Sequence, residues 1–425
     1  MTSRQFRQTA AAWLPEIPCD WSMVPAKALF ANRNEMCRAN DVHLTPSQRF
    51  GVVSQEDYMQ LSGSSVVLNL SGADRMKHVE EGDFVSHLRS FQGGLERSSL
   101  SGKVSAAYTV LAPRDFVVGS FFRYLLKCDR YVEALRVTTD QLRDGQSIRY
   151  KEFGGVPLPL PSVATQLAIS EFLDRETSQI DAMIQAQRTL VDRLDERRRA
   201  TVLSAIRGHG KDWEARPLKH FVRRIAGSGF PVDEQGVEGL ALPFYKVNAL
   251  GRAQTDGRIR DVYDTVDRFT ARRLGAKIVP AGSSVMAKIG AAVLLGRVRQ
   301  VAVDCCLDNN MVGFAPTPLI NERFAYYALQ QFDMRFFINP GTLPFLNERS
   351  LLSTPIPVPG LDEQCRVASE LDQVTAREGE MIQAVYAALD FMYERRSALI
   401  SAAVTGRIDP RTGEEFTTEK ALESV

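Results

Sequence analysis

Pro157-Leu158-Pro159-Leu160-Pro161 opens the stretch that decides the fold. It leads into a segment free of proline and glycine until Gly208, and the chain repeats the passage 198 residues on, from Pro355-Ile356-Pro357-Val358-Pro359 to Gly406. The copies align without a gap and are identical at 18 of 52 positions. Gln166 answers Gln364, Met183-Ile184-Gln185-Ala186 answers Met381-Ile382-Gln383-Ala384, and Glu196-Arg197-Arg198 answers Glu394-Arg395-Arg396. A repeat at a fixed offset dictates architecture. Two copies are too few for a solenoid, so the expectation is a pseudo-dimer folded from one chain.

Alternating prolines fix φ and lack backbone donors, which predicts a stiff, non-helical lead-in to each copy. A helix then starts at once, capped by Ser162 in the first copy and favoured by Asp362-Glu363 in the second. Both copies close on glycine, the usual residue after a helix end, and only Gly379 interrupts the second helix. Ile169, Leu173, Ile180, Ile184, Val191, Leu194 and Val202 hold one face of the first helix. Val367, Leu371, Val374, Ile382, Val385, Leu389, Met392 and Leu399 do so in the second. Steps of three and four over about 40 residues, roughly 60 Å, fit an antiparallel coiled-coil seam. The opposite face, with Asp192, Arg193, Asp195 and Glu196, is charged and reads as solvated.

The segments between the helices are related more weakly. Asp20-Trp21 with Pro25 answers Asp212-Trp213 with Pro217. Glu81-Gly82-Asp83-Phe84-Val85 resembles Ala281-Gly282-Ser283-Ser284-Val285, a turn into a strand, and Leu111-Ala112-Pro113 resembles Phe314-Ala315-Pro316. Aromatic helices follow near Phe121-Phe122-Arg123-Tyr124 and Phe324-Ala325-Tyr326-Tyr327, and β-branched runs such as Val66-Val67-Leu68 fill the middle. The fold class is therefore α+β, with two compact mixed domains separated by two long paired helices. The boundaries expected are 1–155, 156–212, 213–352, 353–409 and a tail at 410–425. The helices kept their sequence after duplication while the domains drifted, as a paired spacer and two independent readers would.

Composition is that of an ordinary globular protein, with 44% hydrophobic and 24% charged residues. The net charge of +1 conceals a bias of +6 over residues 215–352 and −6 over 353–425. The six cysteines have no metal-ligand spacing, the N-terminus is no signal peptide, and no apolar run is long enough to cross a bilayer. A reduced, cytoplasmic protein away from the membrane is expected.

At this point the chain resembles the specificity subunit of type I restriction–modification systems over nearly its whole length. The resemblance rests on both lead-ins and helices, on Ser401-Ala402-Ala403-Val404-Thr405-Gly406-Arg407-Ile408-Asp409, and on the entry motif Ile17-Pro18-Cys19-Asp20-Trp21. The segment from Gly82-Asp83-Phe84-Val85 to Gly102-Lys103-Val104-Ser105-Ala106-Ala107-Tyr108 is similar to target-recognition domains of that family. The resemblance implies a non-catalytic subunit in which two target-recognition domains each read half of a split sequence in double-stranded DNA. It also implies that the helices dock two methyltransferase subunits, and that translocase/endonuclease subunits join the complex. The chain departs from the pattern at Gly379 and at Val404-Thr405, which Ile206-Arg207 does not mirror.

Enzyme motifs are missing. There is no phosphate loop, no H-E-x-x-H, no Asn/Asp-Pro-Pro-aromatic segment of an adenine methyltransferase and no G-x-S-x-G turn. No metal or cofactor is expected. Base readout needs Arg, Lys, Asn or Gln at base edges with cations on phosphates. The residues singled out are Arg89, Arg97, Ser98 and Lys103 in the first domain and Lys246, Asn248, Lys288 and Arg297 in the second. Ser99 joins the first set, Asn309-Asn310 reads better as a turn, and Arg197-Arg198-Arg199 and Arg395-Arg396 read as structural or partner-facing. A coiled-coil adaptor whose domains bind proteins is the alternative.

Overall fold

The structure, a computed structural model of the chain, describes residues 3–63, 75–87, 94–138, 148–339 and 343–419. It divides into two compact units, one of Met1–Gln185 with Leu389–Val425 and one of Ala186–Ala388. Each contains a mixed domain and part of both long helices. Val66-Val67-Leu68 lies outside the described residues.

The two long helices are Val163–Ile206 and Leu361–Val404, 44 residues each. Ser162 Oγ accepts from the Thr165 amide at 3.2 Å, so the first helix has the expected cap. In the second unit Val202, Ala205 and Ile206 share a buried cluster with Val367, Ala368 and Leu371, while Val191 and Leu194 pack with Ile382 and Val385. Numbers rise along one helix as they fall along the other, so the pairing is antiparallel. The first unit follows the same sense, with Ile169, Phe172 and Leu173 in one core with Ile400, Ala403 and Val404. There Arg396 grips Asp181 at 2.9 and 3.1 Å. Every stripe residue of the first copy is buried; Val374, Val385, Met392 and Leu399 of the second are half-buried.

Glu378 explains part of that asymmetry. It stands where the first copy has Ile180, is only 5% exposed, and neither carboxylate oxygen has a hydrogen-bond partner among the described residues. Its compensation is Arg197 at 3.5 Å, whose own side chain is 75% exposed. The following Gly379 stands where the first copy has Asp181, and a Cβ there would lie 3.2 Å from the Thr255 side chain. A buried carboxylate with one distant cation is a weak stabiliser, and an apolar residue of similar size usually does better. Glu378→Ile is therefore expected to stabilise the second unit by about 1 kcal/mol or more. Urea unfolding monitored by hydrogen exchange of that unit checks this, and a lowered midpoint would refute it.

Each proline lead-in forms a strand. Pro157–Leu160 pairs antiparallel with Ser22–Pro25, and Pro355–Pro357 with Ala215–Pro217, so each lead-in is tied to the entry of the domain in its own unit. The helix ends are matched as well. Gly208 and Gly406 both have φ near +80° (82° and 75°), a conformation costly for residues with a Cβ. Gly208 lies against the Trp213 ring, and Gly406 against Pro18 and Trp21.

The first domain is built on a four-stranded sheet in the order Phe30–Asn32, Val110–Pro113, Phe84–Ser86, Leu95–Arg97. The second has five strands, Val222–Ala226, Met311–Pro316, Ser284–Ala287, Arg299–Val301 and Arg258–Ile259. The first four strands correspond one to one, and all neighbours among them are antiparallel. The last strand of the second sheet adds parallel. A second small sheet of Thr265–Val266, Leu242–Tyr245 and Cys306–Leu307 extends the second domain.

Both domains are fixed to the helices by the same polar contacts. Gln166 is fully buried; its Oε1 accepts from the Val118 amide at 2.9 Å and its Nε2 donates to the Pro161 and Phe116 carbonyls. Gln364 does the same with the Asn321 amide and the Pro359 and Leu319 carbonyls. Further along each helix, Tyr124 donates to Asp174 at 2.6 Å and meets Thr177 at 3.1 Å. Tyr327 donates to Asp372 at 2.6 Å and meets Thr375 at 2.9 Å. These helix residues are identical in the two copies. No helix of the described residues is long and apolar enough to cross a membrane.

Candidate nucleic-acid interface

A cation that is to meet a phosphate must not already be spent on a carboxylate, so the ion pairs sort the basic residues. In the second domain most arginines are committed: Arg224 to Glu348, Arg252 to Asp261, Arg258 and Arg260 to Asp256, Arg323 to Asp372 and Arg335 to Asp333.

Lys246 follows the strand Leu242–Tyr245. Its ammonium pairs with Asp264 at 2.8 Å, donates to Gln235 at 2.8 Å and lies 5.6 Å from the centre of the Phe230 ring. Burial opposes the charge on Asp264, but the bonds from Lys246 and the Gly236 amide outweigh it and hold the carboxyl below its ordinary range. Lys246 is thus largely committed to its own domain. Lys288 is half-buried and has no ion pair among the described residues; its amide donates to the Asn310 carbonyl at 2.8 Å. Burial pushes the Asp308 carboxyl above its usual range, against the bonds from Asn310 and the charges of Lys246 and Lys288. Asn309 and Asn310 form a turn, with the Asn310 amide on Asp308 at 2.7 Å. Asn248 is exposed in the helical turn Val247–Gly251, and Arg297 is exposed without an ion pair among the described residues.

In the first domain Arg89 lies outside the described residues. Arg97 is exposed and without an ion pair among the described residues, and its guanidinium stem rests on Gly119, where a Cβ would come within 2.6 Å of Nε. Ser98, by contrast, is fully buried, and its hydroxyl donates to the Leu100 carbonyl at 2.6 Å. That hydroxyl holds a turn, so the side chain does not present itself to a ligand. Ser99 next to it is exposed. Lys103 is half-buried on the strand Gly102–Val104; burial and the charge of Lys103 together lower the pKa of His43.

Several cations not singled out in the sequence are exposed without an ion pair among the described residues, Arg223, Lys277 and Arg349 among them. Arg268 and Arg272 are exposed on the short helix Arg268–Arg273 and have no ion pair among the described residues. Their i, i+4 spacing was visible, but nothing local said that their neighbours would be neutralised. On the long helices, Arg396 and Arg198 make helix-surface ion pairs with Asp181 and Asp195, so the arginine runs are partly structural. Among the described residues no group of three or more His, Cys, Asp or Glu is placed to hold a metal.

Residues 211–389 match the type I restriction modification DNA specificity domain. No curated protein matches the sequence. Among solved structures, a chain from a study of complex assembly and conformational transition of the type I R-M system superposes with a TM-score of 0.67 at 14% identity. The match covers 91% of this chain and 98% of that one. The HsdS subunit from Thermoanaerobacter tengcongensis matches with a TM-score of 0.47 at 15% identity, over 92% and 98% of the two chains. The type I S subunit from M. genitalium gives 0.39 at 14% identity, over 95% and 99%.

Proposed function

Because residues 211–389 match the type I restriction modification DNA specificity domain, we propose that this chain is a specificity subunit of that family and reads a bipartite target in double-stranded DNA, one domain to each half-site. The observation that carries this reading is the unequal fate of the duplicated parts. Gln166 and Gln364, with the Tyr–Asp–Thr contacts beyond them, fasten each domain to its helix identically, while the surfaces the domains present differ. Identical mounts carrying unlike surfaces suit two readers of unlike sequences. Arg97 and Lys103 in the first domain, and Lys288, Arg297 and Asn248 in the second, are the contacts proposed; Arg89 joins them from the sequence alone. The domain limits proposed are those of the sequence reading.

The helices are proposed to dock two methyltransferase subunits. Met183 and Met381 occupy equivalent positions and are 53% and 51% exposed, which gives a partner two like footholds. Translocase/endonuclease subunits would then complete a cytoplasmic complex in which this chain is non-catalytic. Exchanging residues 215–352 for the corresponding domain of a relative with another target is expected to change one half of the methylated sequence and leave the other intact. Methylation mapping in cells that also carry the methyltransferase decides the matter, and a change in both halves would sink the one-domain, one-half-site assignment.

A further inference from the structure

The helix Arg268–Arg273 is anchored from below and bare above. Asp267 caps it, accepting from the Thr270 amide at 2.6 Å, and Ala271, 2% exposed, sits in a small core with Leu242, Phe244, Val266 and Cys306. Above that anchor stand Arg268 and Arg272, uncommitted among the described residues, and Phe269, 73% exposed. An exposed aromatic ring between two uncommitted guanidinium groups offers the pairing of charge and stacking surface that nucleic acid takes up. The helix is also linked through neighbouring residues to Lys246. Arg273 pairs with Glu234, and the adjacent Gln235 accepts from Lys246.

Accepting the DNA-reading role argued above, we propose that this helix is a further part of the second domain that meets the duplex, with Arg268 and Arg272 on phosphates and the Phe269 ring against sugar and base edges. Arginine suits the first task by its fixed fork of donors. An apolar ring adds contact area without releasing counterions, so the two kinds of side chain leave different signatures in a salt titration.

The test uses the full chain and a mixed-sequence DNA duplex, with affinity measured by fluorescence anisotropy across a series of KCl concentrations. The unaltered chain is expected to lose affinity linearly on a log–log plot. Arg268→Ala with Arg272→Ala should flatten the slope by about 1.8, roughly 0.9 for each phosphate no longer neutralised. Phe269→Ala should weaken binding at every salt concentration with the slope unchanged. Arg268→Lys with Arg272→Lys should keep the slope, which separates charge from folding, and Arg335→Ala, on a paired surface arginine of the same unit, should change nothing. If the double alanine variant keeps the full slope while Lys288→Ala with Arg297→Ala flattens it, the helix is not the contact and the DNA-reading role stands. If the unaltered chain shows no salt-dependent binding, both fall.

Discussion

Asp372→Ala is expected to cost the second unit about 3 kcal/mol, while Asp174→Ala, the same change at the equivalent position of the first helix, costs the first unit about 1 kcal/mol. The difference lies in what each aspartate faces. Arg323 has a side chain only 7% exposed, and Asp372 holds it through contacts of 2.5, 2.9 and 3.2 Å. Its remaining partners, among them Gln300 at 2.8 Å and the Asp256 carbonyl at 3.0 Å, are neutral. Removing the carboxylate leaves a guanidinium charge out of water with no counter-charge. On the other helix Arg123 and Asp174 pair with 41% and 45% of their side chains exposed, where water takes the place of the missing partner. There the main loss is the acceptor of the Tyr124 hydroxyl. Hydrogen exchange during urea unfolding, followed on the helices Gly119–Leu125 and Glu322–Gln330, reads the two units separately. Equal losses in both would mean that burial of the arginine is not what sets the cost.

The second large effect is expected at the helix seam. Ile382→Asp should cost about 4 kcal/mol or more, since it removes a buried apolar side chain and puts a charge in its place. Ile382 is 8% exposed and packs with Val191, Leu194 and Val385. Glu378, one turn away, shows what such a charge needs, and its cation Arg197 is already engaged. Loss of helical circular dichroism at a lower temperature checks the prediction. A variant that melts with the parent would show that the seam contributes little.

The helices, their caps and their antiparallel sense were legible because helical periodicity is local and repeats itself. The lead-ins read correctly as extended, but their partners did not. Ser22–Pro25 and Ala215–Pro217 carry no mark of the strands they pair with, because that choice is made by tertiary packing. Gln166 and Gln364 stood out as identical, yet that each bridges a domain amide and its own lead-in is visible only in three dimensions. Glu378 was passed over for the same reason, since its burial follows from the partner helix. The interface was the least legible part. Sequence counts cations but cannot subtract ion pairs: it shows Lys246 without the Asp264 that neutralises it, and it does not set Arg268 and Arg272, unpaired among the described residues, apart from their paired neighbours. Ser98 looked like a polar loop residue and is a buried turn hydroxyl.

The seats of the two closing glycines bear on how such a chain is put together. Gly208 reaches its tryptophan, Trp213, a short step further on, whereas Gly406 reaches Trp21 only by returning to the beginning of the chain. The strand Ser3–Gln8 completes that return by pairing with Thr417–Glu419. The second unit is thus one uninterrupted stretch, and the first is the same arrangement with its connection severed. In topological terms the two units are one arrangement threaded with different connectivity. Ancestry by tandem duplication of a half-length unit would leave such a trace.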